Sequence, residues 1–179
     1  MSKRIRLWLI AALALCAAAA VGVTLSFMFK KAEKTNTFVP AEVTCEVEES
    51  LFSGVKRNVC VENTGNVAAY LRIRLVSYYV YDNGSIAGRV SSEYPALTLR
   101  NGWIAGADHT YYYPTPVEPG EKTGILCDPI TLGTVKLADG TPVYQVLEVF
   151  AEAIQAEPVG AVQEAWNVTV SDTRITPIL

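Results

Sequence analysis

A single histidine, His109, serves a chain of 179 residues, and that scarcity excludes more chemistry than any motif supplies. One imidazole builds neither a His-Glu-x-x-His zinc helix nor any multi-histidine metal site within one chain. A nucleophile triad would have to use His109, which sits in Ala107-Asp108-His109-Thr110 with no Gly-x-Ser-x-Gly elbow in the chain. It therefore reads as a surface-loop histidine. No glycine-rich phosphate loop is present either, since the glycines stand singly in turn-like contexts. The regularly spaced acidic residues of a calcium loop are also missing. Pairs such as Glu46 and Glu48 alternate along a strand and mark its solvated face. No catalytic residue, metal or cofactor is expected, and an enzyme is the least supported class.

An excess of positive charge is lacking too. The chain holds 15 Lys and Arg against 18 Asp and Glu. Three of the 15, Lys3, Arg4 and Arg6, precede a long apolar run, so the remainder carries 12 basic against 18 acidic residues, formally −6. A nucleic-acid binder leans the other way, so nucleic acid is not an expected partner.

Cysteine is sparse and odd in number outside that run: Cys45, Cys60 and Cys127, with Cys16 inside it. Cys45 alternates with Val43 and Val47 toward a core, while Cys60, between Val59 and Val61, points the other way, which argues against a bond between these two. Cys127, beside Ile125 and Leu126, could meet Cys45 across two sheets. A Cys45–Cys127 disulfide and a set of buried thiols both remain open.

The chain does have 23 uncharged residues from Leu7 to Phe29, succeeded at once by Lys30 and Lys31. As a helix the run would reach about 34 Å, enough to cross a bilayer's hydrocarbon layer. Residues 1–29 are thus expected to be a signal peptide or a membrane anchor helix, with export of the chain beyond it. Thr24 and Ser26 supply small residues ahead of a cut before Phe27, making Ser26 and Phe27 the cleavage candidate and signal peptidase a transient partner. If the leader is uncleaved, residues 7–29 hold the protein in the membrane. Either way the location is extracellular or at the cell surface.

After a linker or donor segment at 30–37, short strand patterns succeed one another through a domain at 38–170, ahead of a C-terminal tail at 171–179. Strands are predicted at 42–48, 55–62, 69–81, 86–89, 111–113, 123–132 and 143–154, with a type I′ hairpin turn at Asn83-Gly84. Trp103 reads as a core anchor. Only Val159 to Trp166 has helical spacing. The fold class is all-β: a jelly-roll-like or Ig-like antiparallel β-sandwich with one short C-terminal helix. Tyr78, Tyr79, Tyr81, Tyr111, Tyr112 and Tyr113 are candidate contact aromatics, weighed against ordinary strand filling.

Four stretches stand out together: Thr35-Asn36-Thr37-Phe38; Val61-Glu62-Asn63-Thr64-Gly65-Asn66 running to Arg72; Val117-Glu118-Pro119-Gly120-Glu121; and Ala151-Glu152-Ala153-Ile154-Gln155-Ala156 running to Trp166. They resemble the exported TasA and camelysin-like proteins of Gram-positive bacteria, clostridial relatives in particular, over residues of about 20 to 170 in this chain. The resemblance implies trimming of the leader by a SipW-type signal peptidase at Ser26–Phe27, a jelly-roll-like sandwich, and a role in biofilm matrix fibres or at the cell surface. A sandwich with an open groove can accept the extended N-terminal strand of the next subunit, with residues 27–38 as donor, giving a homo-oligomer or fibre. The alternative expectation is a membrane-anchored extracellular binding module for a carbohydrate or a surface protein. The metalloprotease activity attached to the camelysin name finds no ligand set here and is not carried over.

Overall fold

A computed structural model describes residues 40–88 and 93–178. The leader, the Ser26–Phe27 junction and the donor segment lie outside the described residues.

The longest element pair sets the frame. Strand β3 (Ala69–Val80) and strand β8 (Pro142–Gln155) run antiparallel through twelve registered pairs, from Ala69 opposite Gln155 to Val80 opposite Tyr144. They form the middle of a five-stranded antiparallel sheet completed by β4 (Ile104–Ala105), β5 (Thr110–Tyr112) and β7 (Thr134–Lys136), in the order β4-β5-β3-β8-β7. A second sheet, in the order β1-β2-β6, comprises β1 (Cys45–Phe52), β2 (Val55–Asn63) and β6 (Ile130–Thr131).

Period-two alternation makes the core. Leu71, Ile73 and Leu75 of β3 and Leu147 of β8 share one buried cluster with Val59 and Val61 of β2, together with Trp103, Val117, Leu126, Cys127 and Ile130. Each fully buried aliphatic side chain stabilises by about 1.5–3 kcal/mol. Trp103 is the expected anchor, 5 % exposed, its indole N–H donating to the Gly124 carbonyl at 2.8 Å.

The even residues of β3 and β8 face the other way, and one end of that outer face is covered. Helix α1 (Val159–Trp166) occupies the predicted residues, starting after Pro158 and closing on Asn167 in the left-handed conformation. It packs with a hairpin of β9 (Val168–Ser171) and β10 (Arg174–Pro177) over Tyr70, Ile154 and Tyr112. The stretch read as a tail from 171 is therefore structured: Ile175 is 1 % exposed. With Asp172 and Thr173 making the turn, only four residues per strand remain, too few for the alternation to stand out.

Two hairpin turns take different forms. The β1–β2 hairpin turns at Ser53 and Gly54, both with positive φ (50° and 72°), the requirement of a type I′ turn. At Asn83-Gly84, where that turn was predicted, only Gly84 has positive φ (81°). Gly84 N–H bonds the Tyr81 carbonyl and Tyr81 N–H bonds the Ser85 carbonyl, so three residues span the turn and Gly84 forms a bulge. Asn83 Oδ1 accepts from the backbone N–H of Ser85 at 3.0 Å, an Asx bond that favours this form.

The strand expected over 123–132 is interrupted. Thr123 N–H bonds Val61 O and Leu126 N–H bonds Val59 O, so three residues on one chain oppose two on the other. That bulge, with Pro129 after it, leaves only β6 as regular strand. The predicted return strand at 86–89 contributes a single bridge, Ile86 to Val80, before the described residues stop at 88.

The Glu62-Asn63-Thr64-Gly65-Asn66 stretch is a structural device. Asn63, fully buried, donates from Nδ2 to the carbonyls of Val67 (2.9 Å) and Val117 (2.8 Å) and accepts from Gly65 N–H at 3.0 Å. A Cβ at Gly65 would collide with the Glu42 carbonyl, so that turn admits no side chain.

Candidate functional site

The sheet topology leaves one long edge open. On one side β8 is paired with β3 from Tyr144 to Gln155. On the other, β7 pairs only with Pro142–Tyr144, and Gln145 N–H still bonds the Gly133 carbonyl. Beyond Gln145, β8 has no strand partner on that side among the described residues. The backbone groups pointing there are set by parity. Ala69, Leu71 and Leu75 of β3 bond away from β8, toward residues 117, 113 and 109. Their β8 partners are therefore non-hydrogen-bonded pairs, and the N–H and C=O of Leu147, Val149, Ala151, Ala153 and Gln155 face outward. Nine residues give this edge a length of about 30 Å.

Across from it runs β1, itself the edge of its own sheet. Between the two lies a groove of about 450 Å³, lined by Glu49, Leu51, Lys56, Leu132 and the Gln145–Phe150 run of β8. Lys56 is only 5 % exposed and is paired with Glu49 in the groove wall. At the hairpin tip Leu51 and Phe52 are 61 % and 77 % exposed, and Phe150 of β8 is 45 % exposed. The groove therefore offers unpaired backbone flanked by apolar side chains.

The six candidate tyrosines do not make one contact surface. Successive strand residues point to opposite faces, and these tyrosines come in consecutive runs. Tyr79 is buried at one end of the sheet with Ala87 and Val143, and Tyr81 packs beside them. Tyr111 and Tyr113 face the inner core, Tyr113 edge-on to Trp103, while Tyr112 points outward under Trp166. Only Tyr78 lies on the uncovered outer face, its hydroxyl donating to Glu148 at 2.6 Å. The exposed Phe and Tyr side chains among the described residues are others: Phe52, Tyr144 and Phe150. Phe150 is hidden in the sequence by a strand with apolar bulk on both faces, and the Leu51-Phe52 pair lies just past the expected strand boundary at 48.

The Cys45–Cys127 disulfide is not formed, and Cys45, Cys60 and Cys127 are free thiols. Both Cys45 and Cys127 touch the main core, yet Cys45 lies opposite Asn63 while Leu126, beside Cys127, bonds Val59. Four residues along β2 separate those positions by about 13 Å, beyond disulfide reach. Cys60 points away from the core, as its alternation predicted, with its thiol toward Glu48. None of the three is activated. Burial, then Asp128, pushes the Cys127 thiol up to about 11; burial, then Glu152, raises Cys45; burial, then Glu48, raises Cys60.

His109 sits exposed in its loop at positive φ, its ring stacked on Tyr94 with centroids 3.3 Å apart. No nucleophile among the described residues is bonded to it. Among the described residues no three His, Cys, Asp or Glu side chains gather as metal ligands, and no helix is long and apolar enough to cross a membrane.

Comparison of the chain with protein-family models, with curated proteins and with solved structures returns no match.

Proposed function

We propose that the chain is an exported cell-surface or biofilm-matrix structural protein of the TasA and camelysin-like type. Its fold is read as a jelly-roll-like or Ig-like β-sandwich, which assembles into fibres when the N-terminal strand of one subunit adds to the open edge of the next. One observation carries this reading: the unpaired backbone of β8 from Leu147 to Gln155, bordered as far as Phe150 by the groove against β1. An edge of this kind is a template for strand addition, and natural sheets usually blunt it with charge, proline or a covering element. The donor, residues 27–38, spans about 40 Å when extended, enough for the full edge. It becomes a free N-terminus only after signal peptidase cuts between Ser26 and Phe27. Head-to-tail addition does not close on itself, so it propagates. Protein beginning at Phe27 should form threads under negative-stain electron microscopy, while protein lacking residues 27–38 should sediment as a monomer. Identical behaviour of the two contradicts the proposal.

A second reading rests on a different observation. The outer face of the five-stranded sheet is covered at one end only, leaving Arg74, Phe150 and Tyr144 exposed beyond the cover. This supports a membrane-anchored extracellular binding module held by residues 7–29. The mass of the native protein's N-terminus separates the two: a start at Phe27 favours the fibre subunit, a retained leader the anchored module.

A further inference from the structure

Where the α1 and β9–β10 cover stops, a polar cleft of about 250 Å³ opens onto the outer sheet face. Its floor is Arg72, held in place on two sides. Glu152 Oε2 accepts from Arg72 Nε at 2.8 Å, and the guanidinium lies 4.6 Å from the Trp166 ring centroid. Arg72 is thus spoken for. Around it stand three groups that are not: Arg74 of β3, Asp108 of the β4–β5 loop and Asn167 at the end of α1. All three line the cleft and are exposed, and none has a side-chain hydrogen bond or ion pair among the described residues. Thr110, 9 % exposed, lines the same cleft. Pro177 and Ile178, the latter 54 % exposed, complete the lining on its apolar side.

We propose that this cleft binds a sugar residue of a polyhydroxylated saccharide. The donor and acceptor mixture carries the argument. Arg74 only donates, Asp108 only accepts, and Asn167 does both from one planar amide. A simple anion would gain from Arg74 but meet the Asp108 carboxylate, and a cation would meet the reverse conflict. Vicinal hydroxyls, each donor and acceptor at once, satisfy all three together. Pro177 and the exposed Ile178 of the cleft lining meet the apolar side of a sugar ring, and a few placed polar groups beside apolar walls are the usual make-up of a small-molecule site. Three separate elements supply these groups, and the packing of Trp166 and Val168 with Tyr70 and Tyr112 anchors the chain on both sides of Asn167. The inference deepens the binding-module reading and is independent of fibre assembly.

The test is calorimetric titration of the full chain in mild detergent with three hexasaccharides: β-1,4-glucose, β-1,4-N-acetylglucosamine and α-1,4-galacturonate. Saturable binding of a neutral hexamer is expected, weakened about tenfold by Asp108→Gly and again by Asn167→Gly, as the loss of a hydrogen bond in each case predicts. Glycine is chosen at both positions because Asp108 holds φ at 51° and Asn167 at 50°. Both side chains are exposed and unpartnered among the described residues, so the melting temperature should stay where it is. Glu46→Ala, on the other sheet, should leave binding unchanged. No binding of any hexamer at millimolar concentration overturns the proposal, as does binding insensitive to both variants. Binding of galacturonate alone, displaced by inorganic phosphate, also overturns it and marks an anion site on Arg74. None of these outcomes bears on whether the leader is retained, which the N-terminal mass decides separately.

Discussion

Asn63→Ala puts the structural role of the Glu62-Asn63-Thr64-Gly65-Asn66 turn to a numerical test. The side chain makes three hydrogen bonds, to Val67 O, Val117 O and Gly65 N–H, at 2.8–3.0 Å. Val117 O keeps a second partner in Ala69 N–H, but Val67 O and Gly65 N–H have no other among the described residues. At about 1 kcal/mol net for each bond, with two backbone groups orphaned, the loss should be about 3 kcal/mol. For a domain of this size that lowers the melting temperature by about 10 °C. Urea unfolding monitored by tryptophan fluorescence measures it directly, with the slope unchanged. Asn63→Asp sharpens the test. It preserves the acceptor for Gly65 but turns a carboxylate oxygen toward the two carbonyls, which raises its folded pKa. The extra deficit of this variant should be absent below the unfolded value of about 4, appear as pH rises through the raised folded value, and persist above it. A loss under about 1 kcal/mol in the alanine variant, or an aspartate variant whose deficit ignores pH, would refute the reasoning.

Other consequences are as direct. With its thiol held near 11, Cys127 in the folded protein should expose about a thousandth as thiolate at pH 8, so iodoacetamide should label it far more slowly than after unfolding in urea. Because that value lies above the ordinary 9.0, the stability linked to Cys127 is intact below pH 9 and is lost as pH rises through about 11, which a pH series of melting temperatures should show. Trp103→Phe retains most of the buried ring but orphans the Gly124 carbonyl; it should cost about 1 kcal/mol by urea unfolding, against about 3–5 for Trp103→Ala.

The parts of the fold that were legible in the sequence are those with long periods to read. The alternation from Ala69 to Val80 and from Val143 to Ile154 names the two strands that pair for twelve residues, and the helix at Val159–Trp166 keeps its predicted bounds. Short or irregular pieces were not legible: four-residue strands β9 and β10, and the bulged run beside β2, carry too few alternations to register. Turn chemistry misled at Asn83-Gly84, where loop length rather than residue preference decided the form, while the less conspicuous Ser53-Gly54 adopted the mirror-image turn. Of the site, the open edge of β8 could not be read at all. Pairing partners are a property of topology, and Leu147 to Gln155 look the same whether β8 is central or exposed. The tyrosines show the converse: composition suggested a contact surface, and alternation scattered them over both faces.

The central claim is that the free side of β8 receives a strand from another copy. Val149→Pro tests it most directly, because the Val149 N–H faces that open side and not β3, so proline removes the donor without breaking the existing ladder. In protein beginning at Phe27, electron microscopy and sedimentation should show threads for the unaltered chain and monomers for Val149→Pro at matched stability. Threads of equal length from both would contradict the account.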